Sequence, residues 1–131
     1  MKLTLKTINY MNLFENVTGA RVKDCIEEDG KLIFLVEEGN VKLAVRNLKR
    51  VSGLLKKEIK IIGFSSDPVK FIKNLLYPIK PDGVMRRGNT VVIKVANNAV
   101  KGKIFGRSKE NFKRIEGLMK KYFKDMSLVV E

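Results

Sequence analysis

The sequence predicts an α+β protein made of two consecutive copies of one unit, each a three-stranded sheet covered by helices on one face. Three observations lead to this reading. Residues 47–57 read NLKRVSGLLKK and residues 111–121 read NFKRIEGLMKK, identical at seven of eleven positions at a constant offset of 64. Three of the other four positions exchange one apolar residue for another, the mark of a duplicated unit. Ahead of each segment, helical periodicity gives way to two β-rich runs separated by a turn dipeptide, Asp29-Gly30 in one copy and Gly88-Asn89 in the other. After each segment a further β-rich run closes the copy. The predicted order is helix, strand, strand, helix, helix, strand, twice, with the units at 1–64 and 65–131.

In the first copy Leu5, Ile8, Met11 (or Asn12), Phe14 and Val17 recur at helical spacing, and Thr18-Gly19 is a natural stop. Arg21 to Glu27 alternates with Val22 and Ile26 on one face, and Lys31 to Val36 is the second strand of a hairpin. Two short helical stretches follow, and Glu58 to Phe64 is the third strand. In the second copy Asp67-Pro68 supplies an N-cap and a proline at the first helical position, opening a helix to about Leu76 that Pro78 and Pro81 end. Strands at Asp82 to Arg87 and Thr90 to Ala96 form the hairpin; helical stretches and a strand at Ser127 to Val130 complete the copy.

Composition restricts the chemistry. The 27 basic against 14 acidic residues give a formal charge of +13, which calls for a polyanionic partner. Residues 1–64 carry 12 basic and 8 acidic side chains, net +4, and residues 65–131 carry 15 and 6, net +9, so the second unit is expected to bind that partner more strongly. The competing explanation is a lysine-rich surface that merely keeps the protein solvated. There are no histidines and one cysteine, which removes the commonest general base, any intramolecular disulfide and the usual zinc ligand sets. No paired-carboxylate motif or Walker-type phosphate-binding loop is present, so neither an enzyme nor a small-molecule substrate, cofactor or metal is expected. Cys25 reads as a half-buried packing residue, and Asp24, Glu27, Glu28 and Asp29 as a solvated hairpin tip. No apolar run reaches membrane-spanning length and Met1 to Tyr10 lacks a signal-peptide core, so a cytoplasmic protein with no membrane partner is expected.

The paired helices hold the candidate site. In the second copy Phe112, Ile115, Met119 and Tyr122 should face the core, leaving Lys109, Lys113, Arg114, Lys120, Lys121 and Lys124 outside. In the first, Leu48, Val51 and Leu55 face inward, with Arg46, Lys49, Arg50, Lys56 and Lys57 outside. Just before the second of these helices runs Lys101-Gly102-Lys103-Ile104-Phe105-Gly106-Arg107-Ser108-Lys109, in which Gly106 to Lys109 is a tight basic loop joining two short helices. A tight basic loop before a helix start presents N–H groups and a positive dipole end to a phosphate, and glycine lets a sugar-phosphate backbone approach closely. Gly106, Arg107, Ser108 and Lys109 would contact phosphate, Lys101, Lys103, Lys113 and Arg114 would flank the groove, and Arg46, Lys49 and Arg50 form a secondary basic face. Ile104 and Phe105 would support the groove's apolar floor, Phe105 as core rather than as a stacking platform.

The element order, with a basic Gly-x-x loop between paired helices, resembles KH proteins of the prokaryotic (type II) topology, which clamp single-stranded nucleic acid with a GxxG loop. More narrowly the chain resembles the archaeal NusA-like family of tandem KH proteins. The matching residues are Leu13-Phe14, Thr18-Gly19-Ala20 and Asp24-Cys25-Ile26; Ser66-Asp67-Pro68 with Phe71-Ile72; and Lys103 to Arg107 with Asn111 and Lys113-Arg114. The resemblance implies an RNA-binding transcription elongation or termination factor that holds single-stranded RNA mainly through the second unit, with RNA polymerase as a further partner. The rival implication is a protein-interaction adaptor on RNA polymerase or ribosomal proteins with vestigial RNA binding; a third is a non-specific binder that uses charge alone. Two departures from the family pattern bear on the choice. The first copy runs Leu43-Ala44-Val45-Arg46-Asn47 with no glycine: Val45 aligns with Phe105 at an offset of 60 and Asn47 with Asn111 at 64, so four residues are missing. The second copy has Lys109 where the loop's last glycine would stand, which requires either a lysine strained at positive φ or a loop of another shape.

Overall fold

The computed structural model describes residues 4–28 and 30–131. The predicted order of elements is the observed one, and the chain divides into two compact units, Met1–Ser65 and Ser66–Glu131.

In the first unit, helix α1 (Leu5–Thr18) opens on a reciprocal cap between Thr4 and Thr7 and ends at Gly19, whose φ of 75° only glycine adopts readily. Phe14 is fully buried, but Leu5 is 76% and Ile8 41% exposed, against the predicted stripe. The cause is geometric. Three residues fall about 60° short of a helical turn, so three such steps back from Phe14 place Leu5 on the opposite face. Seven residues make nearly two turns, and Thr7 is the one buried instead.

Strand β1 (Val22–Glu28) pairs antiparallel with β2 (Lys31–Val36), and β2 pairs parallel with β3 (Glu58–Gly63), giving the order β1-β2-β3. A register shift between Val22 and Asp24 inserts Lys23 as a bulge. The bulge corrects the expected alternation: Val22 and Cys25 share the face of Val36 and Phe34, while Ile26 lies opposite Ile33 on the other face. Cys25 is therefore buried, not half-buried. Desolvation, with Asp24 and Glu27 adding negative charge, pushes its thiol up to about 12. Asp29 lies outside the described residues; Gly30, at φ 75°, turns the chain. Two of the acidic residues expected at a solvated tip lie instead on β1 with partners or burial of their own. Asp24 is 1% exposed, and Glu27 bridges Lys6 at 3.2 Å and Lys57 at 3.1 Å. Helices α2 (Val41–Arg46) and α3 (Leu48–Leu55) contribute Ala44 and Val51 to a core built on Phe14, Leu32 and Phe34, with the two rings stacked at 4.2 Å. Ile33 and Leu35, on the opposite face of β2, are buried as well.

In the second unit, α4 (Pro68–Leu76) starts at Asp67, whose carboxylate accepts from the Val69 N–H at 3.0 Å. Strands β4 (Gly83–Arg87) and β5 (Thr90–Lys94) form the hairpin, and β6 (Ser127–Val130) lies parallel to β5, giving β4-β5-β6. Strand β5 stops two residues before the predicted Ala96, where the Ala96 N–H turns to the Asp82 carboxylate at 2.8 Å. Helices α5 (Asn98–Phe105) and α6 (Glu110–Tyr122) complete the unit; α6 packs on α4, α5 and β6. Ile115 and Met119 are buried as expected, and Leu118 joins them, while Phe112 and Tyr122 are only half-buried. The repeat has diverged here. Leu118 is 1% exposed, yet its counterpart Leu54 is 55% exposed, and α3 ends at Leu55 whereas α6 continues to Tyr122.

Candidate nucleic-acid interface

Asn97 caps α5 by accepting from the N–H groups of Ala99 and Val100, and the helix runs to Phe105. Gly106 then leaves the helix at φ 71° and ψ −179°, a region essentially restricted to glycine. A Cβ placed there would lie 2.8 Å from the Asn111 Cβ and 3.2 Å from the Asn111 backbone nitrogen, so glycine is required twice over. Arg107, Ser108 and Lys109 form a single tight turn. Ser108 (φ 54°) and Lys109 (φ 60°) are both left-handed. Of the two outcomes for Lys109, the strained one holds: lysine takes the glycine conformation, and Ser108 shares it. Bonds from the Lys109 N–H to the Gly106 carbonyl and from the Glu110 N–H to the Arg107 carbonyl close the turn.

Lys109 is also the N-cap of α6 and gives it no side-chain cap. The first turn of a helix has N–H groups without intrahelical partners, and here they follow directly on a loop whose Arg107, Ser108 and Lys109 side chains are all exposed. Lys103, in the last turn of α5, and Lys113, in the first turn of α6, are exposed too; Lys101 is half-buried. The Phe105 ring packs on Phe112 at 5.2 Å, and the Lys109 ammonium lies 6.0 Å from its centroid. Ile104 is fully buried beneath the loop.

Arg114 differs from its predicted place on the outer groove wall. It is half-buried, and its Nη2 donates to the Asn111 Oδ1 at 2.6 Å. Asn111 in turn donates through Nδ2 to the Ile104 carbonyl at 2.9 Å and to the Lys103 carbonyl at 3.4 Å, closing the C-terminal end of α5 across the loop. Asn111 is thus a positioning residue, a role that the sequence pattern did not assign to it. The first unit keeps the same device without the loop: the Asn47 Nδ2 donates to the Leu43 carbonyl at 3.3 Å, and Asn47 alone joins α2 to α3. Arg46, Lys49 and Arg50 are exposed around that joint, whereas Lys57 is drawn to Glu27. Among the described residues no cluster of three or more His, Cys, Asp or Glu is placed to hold a metal, and no helix is long and apolar enough to cross a membrane.

The chain as a whole has counterparts among known proteins. The chain is 33% identical to the probable transcription termination protein NusA of Methanocaldococcus jannaschii, an alignment covering 95% of this chain and 72% of that one. The chain belongs to the archaeal NusA-like family. A NusA of the same description from Methanococcus vannielii is 36% identical over 72% of this chain and 58% of its own length, and one from Halococcus morrhuae is 27% identical over 94% of each. The crystal structure of APE1850 superimposes with a TM-score of 0.69 and 32% identity, covering 98% of this chain and all of that one. That likeness extends over both units. No protein-family model matches the chain.

Proposed function

We propose that this NusA-like protein acts in transcription termination and elongation by binding single-stranded RNA through its second unit, at the turn from Gly106 to Lys109. The observation that carries the reading is the turn itself: a glycine with no room for a Cβ, two left-handed residues and two exposed cations set directly against the start of α6. Such a surface brings a phosphate against backbone N–H groups and adds charge without steric obstruction. Ser108 and Lys109 hold a costly left-handed conformation, of the kind that clusters at binding sites.

The test is the affinity of an unstructured dodecamer RNA, compared with duplex DNA of the same length, across a salt series. Single-stranded RNA should be preferred at physiological salt, and an Arg107→Glu/Lys109→Glu change should weaken it severalfold. The same change should flatten the slope of log affinity against log salt by about 1.4, roughly 0.7 for each phosphate that is no longer neutralised. An unchanged slope would remove the turn from the interface.

A second reading has its own observation. The first unit lacks the turn and exposes Val41 (37%), Leu43 (36%), Val45 (52%) and Leu54 (55%) on α2 and α3. An adaptor that docks on RNA polymerase would use such a face; it predicts polymerase capture that survives nuclease treatment and is lost on Val45→Glu.

A further inference from the structure

The loop between α4 and β4 lines an open pocket of about 450 Å³ whose walls are mostly apolar. Lys73 in the last turn of α4, Tyr77 just beyond its end, and Ile79, Lys80 and Val84 line it. The loop is held in shape. The Ile79 N–H donates to the Leu76 carbonyl and the Asp82 N–H to the Lys94 carbonyl, both at 2.8 Å. The Asp82 carboxylate at the rim is occupied by the Ala96 N–H. Tyr77 is 67% exposed, an unusual position for an aromatic ring beside two lysines on a fixed scaffold.

The pocket does not stand alone. Ile79 and Lys80 also line a second depression of about 410 Å³ with Val100 and Lys103. Ile79 and Lys80 thus border both depressions, and Lys103 in the second lies three residues before Gly106 on α5, so the pair leads from Tyr77 toward the helix that carries the turn. Apolar walls suit a base, an exposed phenol offers a stacking face, and lysines at the mouth suit phosphates.

We propose that the α4–β4 pocket takes a nucleobase of the same RNA strand, beyond the nucleotides held at Gly106–Lys109, with Tyr77 as its stacking platform and Lys73 and Lys80 on the flanking phosphates. The proposal rests on the RNA reading above and extends the bound length past the turn. It assigns to Tyr77 the stacking role that Phe105, packed on Phe112, does not fill.

The affinities of an oligouridylate tetramer and dodecamer for the full chain test it, with Tyr77→Ala and Tyr77→Phe. Tyr77→Ala should weaken the dodecamer about tenfold and leave the tetramer unchanged; Tyr77→Phe, which keeps the ring, should stay within about twofold of the parent. A dodecamer carrying 5-iodouridine should cross-link to Tyr77 on irradiation. If Tyr77→Ala leaves dodecamer binding intact while Arg107→Glu/Lys109→Glu weakens it, the pocket is refuted and the turn stands. If neither change affects dodecamer binding, the RNA reading falls and takes the pocket with it. Equal weakening of tetramer and dodecamer by Tyr77→Ala also overturns the proposal, since it would place Tyr77 at the clamp or in the fold.

Discussion

Two glycines four residues apart, Gly102 and Gly106, should respond to alanine in opposite ways. Gly102 lies inside α5, and a Cβ there would meet nothing within 4 Å. Gly102→Ala should stabilise the second unit by roughly 0.5–1 kcal/mol, the helical advantage of alanine over glycine. At Gly106 the φ of 71° and ψ of −179° cost an L-residue about 1–3 kcal/mol. The new Cβ would also sit 2.8 Å from the Asn111 Cβ, so Asn111 has to move. That movement strains its 2.9 Å bond to the Ile104 carbonyl and the 2.6 Å bond from Arg114, and losing one such bond costs about 1 kcal/mol. The sum is a loss of roughly 2–4 kcal/mol, or a rearranged turn. Urea unfolding followed by amide exchange in β5 reads the second unit alone, and dodecamer RNA affinity should fall in the Gly106 variant only. A Gly106→Ala protein as stable as its parent, with unchanged RNA affinity, would refute both the close packing and its role in binding.

Asn111→Ala removes the bonds to the Lys103 and Ile104 carbonyls and the acceptor of Arg114; it should destabilise the second unit by about 2 kcal/mol, more than Asn47→Ala, whose one bond is 3.3 Å long and whose cost is nearer 1 kcal/mol. Lys109→Gly should stabilise the second unit by up to about 1 kcal/mol, the relief of left-handed strain less the added freedom of the unfolded chain, as thermal unfolding would show. The Lys57 and Lys6 ammonium groups hold the Glu27 carboxylate below its usual 4.5. A depressed folded value gives stability that is present above the unfolded value and lost as pH falls through the folded one, so acid unfolding below about pH 4.5 should be less steep in Glu27→Gln.

The sequence made the duplicated architecture and the basic turn legible because each depends on local signals: a repeat at fixed offset, turn dipeptides, and a glycine between helical runs. It also posed the question of Lys109 correctly, since a lysine in a glycine position is visible as a substitution. What stayed hidden depends on neighbours distant along the chain. The bulge at Lys23, which moves Cys25 into the core, arises from pairing with β2 and leaves no periodicity of its own. The burial of Asp24 and the pairing of Glu27 with Lys6 and Lys57 likewise come from elements that converge only in the fold. Asn111 reaches back seven residues across the loop to Ile104, a contact that no helical spacing displays. One clue was available, the identity of Asn47 and Asn111 in a motif whose other identical positions are Lys, Arg, Gly and Leu. The α4–β4 loop reads in sequence as a proline-rich stop, with no sign that it lines a pocket.

The comparison between copies separates the scaffold from the site. In the first unit Asn47 alone links α2 to α3, accepts no insertion and still closes the preceding helix. The joint therefore needs the asparagine and not the turn, and the turn in the second unit is carried on a connection that is complete without it. Deleting residues 106–109 would leave Phe105-Glu110-Asn111 in place of Val45-Arg46-Asn47, a junction the same fold already tolerates. The deletion also removes two left-handed non-glycine residues, Ser108 and Lys109, each a cost of roughly 1–3 kcal/mol, so stability should fall little or rise. Amide protection across β5 and α6 should persist while dodecamer RNA binding drops to the level of the Arg107→Glu/Lys109→Glu protein. Loss of protection throughout the second unit would mean that the turn is part of what holds α5 to α6, and that the two copies, alike in order, fold on different terms.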